Sequence, residues 1–560
     1  MTAPEPRAEP HPTAGQDPDV HSLWAPLSAP LLAVCILAAV VHLTPFIAAD
    51  LLTPPGWTFT GNVSVSPDYM QYRIWMRTSQ ETGLLVRNNF TAEPNRPHLL
   101  VLVYWTFGQI ARITGLRPEI VYELAGCIFA FALTWLVWCA VAHFARSRLE
   151  KLWTFAAIML GGGLASHVKL LRGGDELSVA PLTAITQARA LKAVHALESY
   201  RGTYVLSTIL DTHYLIVWVG MLLAVLTAYQ TLRQPTPIRW IATVALFTVV
   251  TLIHIYDGFA LIAISAASLF VFWRKRLPLR GSFILFIAGT IAVGSAGLWQ
   301  VWLWRSSGLP LPTWTEIPML FSAVVAGYPL AFALIAWGGV EFVRRSGIAD
   351  AYLLAWALGL LALMLSGPFY PYTTRATVTL SIPLYVIAAR AYFRDRTTMP
   401  LTHGIVAAVV LFAFPLLVVS NRVRALRFEP TKSHIWVNRD HLDVIDYLKK
   451  HASPDDLLVV DRSQQGWKTD DRWLAPEYPG RLYAGHFFLT VDYDAKRRKV
   501  IEFFHNSSAA ERVAFLRNAR VRWVFAGPEN DLAQLRATPG VVVRLSFPEG
   551  SLLEYTNADH

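Results

Sequence analysis

The sequence predicts a mainly α-helical, polytopic membrane bundle with a small α/β domain at its C-terminal end. Three observations lead there. Charged residues are only 16% of the 560 and hydrophobic residues 54%, against about 25% charged in an ordinary soluble domain; mean hydropathy is +0.38. The apolar residues gather into runs near the ~20 residues needed to cross hydrocarbon. From about Asn421 the composition turns to that of a soluble domain, rich in both signs of charge. So little charge does not cover a water-soluble surface of this size, which excludes a soluble enzyme, a disordered chain and a disulfide-rich secreted scaffold.

Taken in order, residues 1–27 are polar and Pro-rich and read as a disordered cytoplasmic tail. The apolar run from about Ala29 to Ala49 lacks a basic region before it and a small-residue cleavage site after it, so it reads as an uncleaved first span. Further runs at about 119–143, 152–171, 212–230, 238–255, 257–273, 282–304, 317–342, 351–367, 375–391 and 401–419 bring the expectation to eleven spans, the long 238–273 run being split at His254–Asp257. With the N-terminus in the cytoplasm, Arg146, Arg148 and Lys151, then Arg233 and Arg239, Arg274, Lys275, Arg276 and Arg280, Arg344 and Arg345, and Arg390, Arg394 and Arg396 all fall inside. That is the positive-inside bias. It accounts for the net charge of +10 without a nucleic-acid partner, and no basic, aromatic-interleaved stretch suggests one. An odd span count then puts residues 421–560 outside the cell membrane. The chain thus divides into 1–27, a membrane domain 28–420 and an extracytoplasmic domain 421–560. Cys35, Cys127 and Cys139 all lie in apolar runs, so neither a disulfide framework nor a thiolate metal site is expected.

Two outside loops are long, about 50–118 and 172–211, and loops of that length usually carry function or are disordered. In the first, Ser66 as N-cap, Pro67 at the first helical position and Asp68 at the second start a helix that runs to Thr82 and is stopped by Gly83. Tyr69, Tyr72, Trp75 and Met76 recur at helical spacing, which suits a helix lying in the membrane interface. Residues 98–113 read as a re-entrant or interfacial helix. The second loop holds Asp175, Glu176 and a helical stretch near Gln187–Ser199. In the C-terminal domain, Asp440–Ala452 and Ala509–Ala519 read as helices, and Leu457–Asp461, Val521–Ala526, Val541–Leu545 and Ser551–Tyr555 as strands. This is a small α/β unit without a phosphate-binding glycine loop.

Polar and ionisable residues near the outer face are the candidates for chemistry. Asp68 either complements the dipole of its helix or serves as a general base at the water–lipid boundary. His254 and Asp257, three apart in an apolar region, are either a satisfied turn or a binding pair, because a charge in the bilayer is usually paired or functional. Asp211 and His213 open a span on the same face with the same two readings, and Asp175 and Glu176 read as solvated loop acids. Arg375 is a cation at the outer start of a span, where both the helix dipole and the charge bias oppose it. It calls for an anionic partner, either a lipid headgroup or a substrate phosphate held by the planar guanidinium. The sequons at Asn62, Asn89 and Asn506 are short and frequent by chance, and Lys496-Arg497-Arg498-Lys499 reads as a solvated helix face.

The stretch Asp68-Tyr69-Met70-Gln71-Tyr72-Arg73, followed by Glu81-Thr82-Gly83 and Asn88-Asn89, sits in a long first outside loop behind an N-terminal span. It resembles the first-loop region of the GT-C fold membrane glycosyltransferases, the oligosaccharyltransferase catalytic subunits and bacterial polyprenyl-phosphate-dependent relatives among them. The resemblance implies a catalytic or metal-linked acid at Asp68 and a donor-phosphate ligand at Arg375. It implies a second-loop acid at Asp175, Glu176 or Asp211, and a sugar or isoprenoid path lined by Tyr69, Tyr72 and Trp75. The second loop has no Asp-x-Asp and the C-terminal domain no Trp-Trp-Asp-type signature, so the resemblance fixes neither a divalent metal cofactor nor a protein acceptor. The function it implies is transfer of a sugar from a polyprenyl-phosphate-linked donor to an extracytoplasmic glycan, lipid or protein, with membrane lipids as the other partner. His254, Asp257, Asp211 and His213 join Arg375, Tyr69 and Tyr72 as expected substrate-binding residues. Two rival readings are a multi-pass transporter or flippase and a non-catalytic scaffold presenting the C-terminal domain. A transporter prefers ionisable groups at the midplane and repeated halves, whereas the acids here gather on one face and no repeat is found. A scaffold tolerates replacement of Asp68.

Overall fold

The computed structural model describes residues 24–63, 67–162, 204–310, 319–344, 347–367, 372–394, 398–409, 411, 415–416, 418, 435–461, 471–486, 489–527, 530–548 and 550–556. Residues 1–23 of the tail, Ser66, and Asp175, Glu176 and Gln187–Ser199 of the second loop lie outside them, as do residues 421–434 at the start of the C-terminal domain. Over the described residues the chain is mainly helical. Among them, six helices are long and apolar enough to cross a membrane: Ala29–Leu51, Pro118–Phe144, Thr212–Arg233, Ile255–Arg274, Leu279–Ser306 and Ile348–Leu365. A seventh results if Phe321–Gly327 and Pro329–Val340, bent by 101°, count as one span.

The expected eleven spans are therefore not confirmed, and the reasons are local. The 317–342 run is broken where Gly327 and Tyr328 precede Pro329, which cannot continue a helix from the turn before it. The 375–391 run begins as a 3-10 turn, Thr373–Thr377, and becomes α-helical only over the 12 residues Ser381–Tyr392. Every residue from Ser381 to Ala391 is buried, so this apolar run is protein core rather than lipid-facing surface. The 238–255 run gives a helix of 17 residues, Pro237–Ile253. The 152–171 run is helical over Arg148–Leu160, 13 residues, and the described residues of the 401–419 run (401–409, 411, 415–416 and 418) are all helical. Apolar composition alone does not separate a span from a short helix packed inside a bundle.

Thr212–Arg233 is the central helix, with Trp218 fully buried, and it packs against Pro118–Phe144 and Pro237–Ile253. Ile255–Arg274 packs against Ile348–Leu365 and Leu279–Ser306. Polar clusters mark the two ends of this bundle. At one end Arg390 is buried, donates to the Phe144 carbonyl and pairs with Asp350, with Glu150 at 3.6 Å. Arg390 is thus spent inside the bundle rather than in a loop, unlike the reading of it as a loop charge. Near the same end Gln230 lies 2.9 Å from His143. The other end carries the starts of Thr212–Arg233 and Ile255–Arg274 and is the end of interest.

The Pro67–Thr82 helix forms as expected, but not at a lipid interface. Tyr69, Tyr72 and Met76 are buried against Tyr104, Phe107 and Tyr122 of Leu102–Thr114 and Pro118–Phe144. Its other face inserts Met70 and Ile74 into the core of the C-terminal part, beside Val444, Leu458 and Trp523. Gly108 lets Leu102–Thr114 lie directly on it: a Cβ there would stand 2.5 Å from the Met76 carbonyl oxygen.

The C-terminal elements appear close to their expected bounds. A five-stranded sheet runs in the order Arg481–Leu482, Leu457–Val460, Val521–Ala526, Gly550–Tyr555, Val541–Phe547. Its first three strands are parallel and the last two join antiparallel. Helix Arg439–His451 starts where the Asn438 side chain accepts from the His441 amide at 2.9 Å. Ser508 and Glu511 cap Ala509–Ala519 reciprocally. The run 496–499 lies within Tyr493–His505. Its Lys496 is buried and paired with Glu93 at 2.6 Å, so that residue departs from the solvated-face reading.

His441 is buried and stacks on Trp473 with ring centroids 4.1 Å apart. Burial pushes its imidazole down to about 4. The folded chain then binds this proton less readily than the unfolded one, whose histidine titrates near 6.5. Its contribution is complete above pH 6.5 and is lost as pH falls through the window toward 4, by an order of 2–3 kcal/mol. Denaturant unfolding of the solubilised protein at pH 7 and pH 5 is expected to show that loss, and His441→Phe is expected to flatten it.

Candidate functional site

The Asp68 helix is held by an ion cluster. Arg73, almost fully buried, places Nη2 2.6 Å from Glu119 at the start of Pro118–Phe144 and 3.0 Å from Glu477 of the C-terminal part. Glu477 also meets Lys449 at 2.6 Å, and Arg77 donates to the Tyr478 carbonyl at 2.7 Å. Both sides of the helix are thus tied, one to the membrane bundle and one to the C-terminal sheet, and Asp68 in its first turn is fixed at the seam.

At that seam lies a cavity of about 260 Å³ lined by Asp68, Tyr72, His213, His254 and Arg375, five of the eight residues expected from sequence. Asp68 is about 38% exposed, and its Oδ1 lies 3.3 Å from His486 Nε2. Tyr72 stacks on Tyr104 with centroids 4.8 Å apart and lies 4.9 Å from the His213 ring. Burial holds both tyrosine hydroxyls well above their ordinary titration range, so they face the cavity as neutral hydrogen-bonding groups. The Tyr104 hydroxyl is 2.7 Å from His213 Nδ1, and the His213 and His254 rings are 5.6 Å apart.

His254 ends helix Pro237–Ile253 and caps Ile255–Arg274. Asp257, one turn into that helix and fully buried, holds His254 Nδ1 at 2.5 Å. The aspartate backs the histidine rather than lining the cavity, and the pair orients one imidazole toward it. Arg375 stands in the 3-10 turn Thr373–Thr377, upstream of Ser381–Tyr392 rather than at the start of an α-helix. Its guanidinium lies 5.7 Å from the Tyr256 ring centre and donates to the Tyr214 hydroxyl at 3.1 Å. Val101, Ile216, Leu252, Ile253 and Ile255 also line the cavity.

Tyr69 and Asp211 do not line the cavity. The Tyr69 hydroxyl turns away to the Gly61 carbonyl at 2.6 Å, and Asp211 precedes Thr212 at the helix start. The sequence reading missed His486, Tyr104, Tyr214 and Gln300, all on the cavity wall. His486 had a signal: Gly485-His486-Phe487-Phe488 is an apolar patch with one histidine inside a charged domain. Among the described residues, no group of three or more His, Cys, Asp or Glu could hold a metal ion.

Comparison with solved structures decides the fold. The chain superposes on arabinofuranosyltransferase AftD from Mycobacteria with TM-score 0.58 for a mutant form and 0.52 for a second cryo-EM structure. Sequence identity is 14% and 13%, with 96% of this chain covered in both. It has the GT-C fold. The match covers 42% and 40% of those longer chains, so this chain spans less than half their length. No protein-family model and no curated protein matches the sequence. The fold implied by the first-loop resemblance is therefore the fold observed, and with its apolar helices the chain is a membrane protein.

Replacing Arg73 by Met leaves Glu119 buried with only Arg117, at 3.5 Å, as a partner. Breaking a buried pair in this way is expected to cost roughly 3 kcal/mol. Thermal unfolding of the solubilised protein should show the drop, with partial recovery in the double variant Arg73→Met, Glu119→Gln.

Proposed function

We propose that the chain is a membrane glycosyltransferase of the GT-C type. It moves a sugar from a polyprenyl-phosphate-linked donor to an acceptor on the extracytoplasmic side. One observation carries this reading: a carboxylate and a guanidinium far apart in sequence, Asp68 and Arg375, line one cavity whose wall also holds a set of aliphatic side chains.

The two kinds of lining residue match the two halves of such a donor. The wall of Ile216, Leu252, Ile253 and Ile255 suits the first isoprene units. The Arg375 guanidinium and the His254 imidazole suit the phosphate. In the transfer, the acceptor oxygen forms a bond to the anomeric carbon as the bond from that carbon to the phosphate oxygen breaks. The acceptor proton passes to the Asp68 carboxylate. The bond electrons leave with the polyprenyl phosphate, whose growing negative charge is met by Arg375. The fold shared with an arabinofuranosyltransferase makes arabinofuranose linked to farnesyl phosphate the first donor to try.

Asp68→Asn is expected to abolish the glycan or glycolipid product in membranes of a strain that depends on this chain, at normal protein abundance. An unchanged mass-spectrometric profile would sink the reading. Arg375→Gln is expected to slow initial rates by on the order of 10²-fold, as for loss of one donor to a developing anion, with Arg375→Lys intermediate; the check is initial rate against donor concentration.

A further inference from the structure

His486 belongs to the C-terminal part of the chain, yet it reaches the cavity that the membrane bundle builds. Its position is over-determined. The backbone around it is stapled to the first loop: Leu482 N–H donates to the Asn89 carbonyl at 2.8 Å and Gly485 N–H to that of Phe90 at 3.0 Å. Thr490 donates through its hydroxyl to the same Phe90 carbonyl at 2.6 Å, and the Asn88 side chain donates to the Leu489 carbonyl at 2.7 Å. Gly485 makes this closeness possible, since a Cβ there would stand 2.8 Å from the Phe90 ring and 3.0 Å from its Cα. The His486 amide is taken by the Thr490 hydroxyl at 3.2 Å, and the ring packs edge-on to Phe90. The imidazole is 2% exposed while Asp68 beside it is 38% exposed. A ring held this firmly stands with Nε2 3.3 Å from one oxygen of a cavity carboxylate, the distance at which it can orient that carboxylate.

We propose that His486 is the positioning residue of Asp68: its Nε2–H, donated to Oδ1, fixes the carboxylate plane and leaves Oδ2 for the acceptor hydroxyl. The inference rests on reading Asp68 as the base. It gives the C-terminal part a direct share in the chemistry, since the base is correctly aimed only when that part is docked. The other titratable groups whose charge Asp68 feels are Tyr72 and Tyr104 from the first loop and His213 from the bundle. His254 and Arg375 lie on the same cavity wall. Beside them, His486 is within hydrogen-bond reach of the carboxylate.

The experiment uses the full-length chain in detergent micelles, labelled with 15N-histidine. The His486 ring signals, assigned by their loss in His486→Gln, are expected at shifts of an Nε2–H ring and are expected to move in Asp68→Asn. Ring signals indifferent to Asp68→Asn overturn the proposal. In isolated membranes, His486→Phe is expected to lower the rate of product formation by about 10- to 100-fold, the loss of one hydrogen bond to a charged group. The loss should fall on kcat rather than KM. His486→Gln keeps an N–H donor and is expected to recover much of the rate. A His486→Phe rate within about twofold of the parent, with Asp68→Asn inactive, overturns the proposal and leaves the glycosyltransferase reading standing. An active Asp68→Asn variant defeats that reading instead. Where His486→Phe does not accumulate, the ring signals and the His486→Gln rate decide.

Discussion

The cavity depends on a single buried cation. Arg73 sits where three bodies meet: the first-loop helix that carries Asp68, the membrane helix that begins near Glu119, and the C-terminal part that supplies Glu477. A guanidinium suits this place because its fork of five donors serves two carboxylates at once, which an ammonium on a flexible stem does less well. Burying a charge is costly unless it is paired on all sides, so the three bodies hold one arrangement in which all three charges are satisfied. Apolar packing alone would let the helix slide along its axis; the ion cluster sets its register, and with it the place of Asp68 one turn earlier.

Around that fixed point the cavity collects groups from distant stretches of the chain, and their local structures explain their aim. His254 interrupts the long apolar run because it ends one helix and begins the next, which frees its side chain from both. Asp257 then claims Nδ1. Arg375 sits in a tight turn that Thr379, in the left-handed region at φ 68°, separates from the buried helix after it. Polar and apolar lining residues thus come from the same helix ends: Leu252, Ile253 and Ile255 flank His254 where one helix gives way to the next.

Much of this was legible in the residues. The Pro-Asp start marked the Asp68 helix, and the oddity of a cation at Arg375 and of a histidine–aspartate pair in an apolar run singled out two residues, Arg375 and His254, that the structure brings to one cavity. The C-terminal strands and helices carry ordinary period-two and capping signals, and they appear nearly where those signals put them. Three things were not legible. Hydropathy reads apolar content, not what covers it, so it does not separate the short helix Ser381–Tyr392, buried from Ser381 to Ala391, from a span. The aromatic spacing of Tyr69, Tyr72 and Met76 is the same whether lipid or protein faces it. His486 is joined to Asp68 only by the fold, 418 positions away in the chain, and no local pattern encodes such a meeting.

That separation has a consequence for how the molecule is made. The segment after Arg481–Leu482 docks on the first loop, and the sheet behind it closes only with Gly550–Tyr555, at the end of the described chain. Contacts so distant in sequence form late, and domains emerge from synthesis N-terminal end first. A nascent chain can therefore thread its helices through the bilayer and still hold an unaimed carboxylate. The Asp68 carboxylate therefore meets His486 only once the C-terminal sheet has closed behind it.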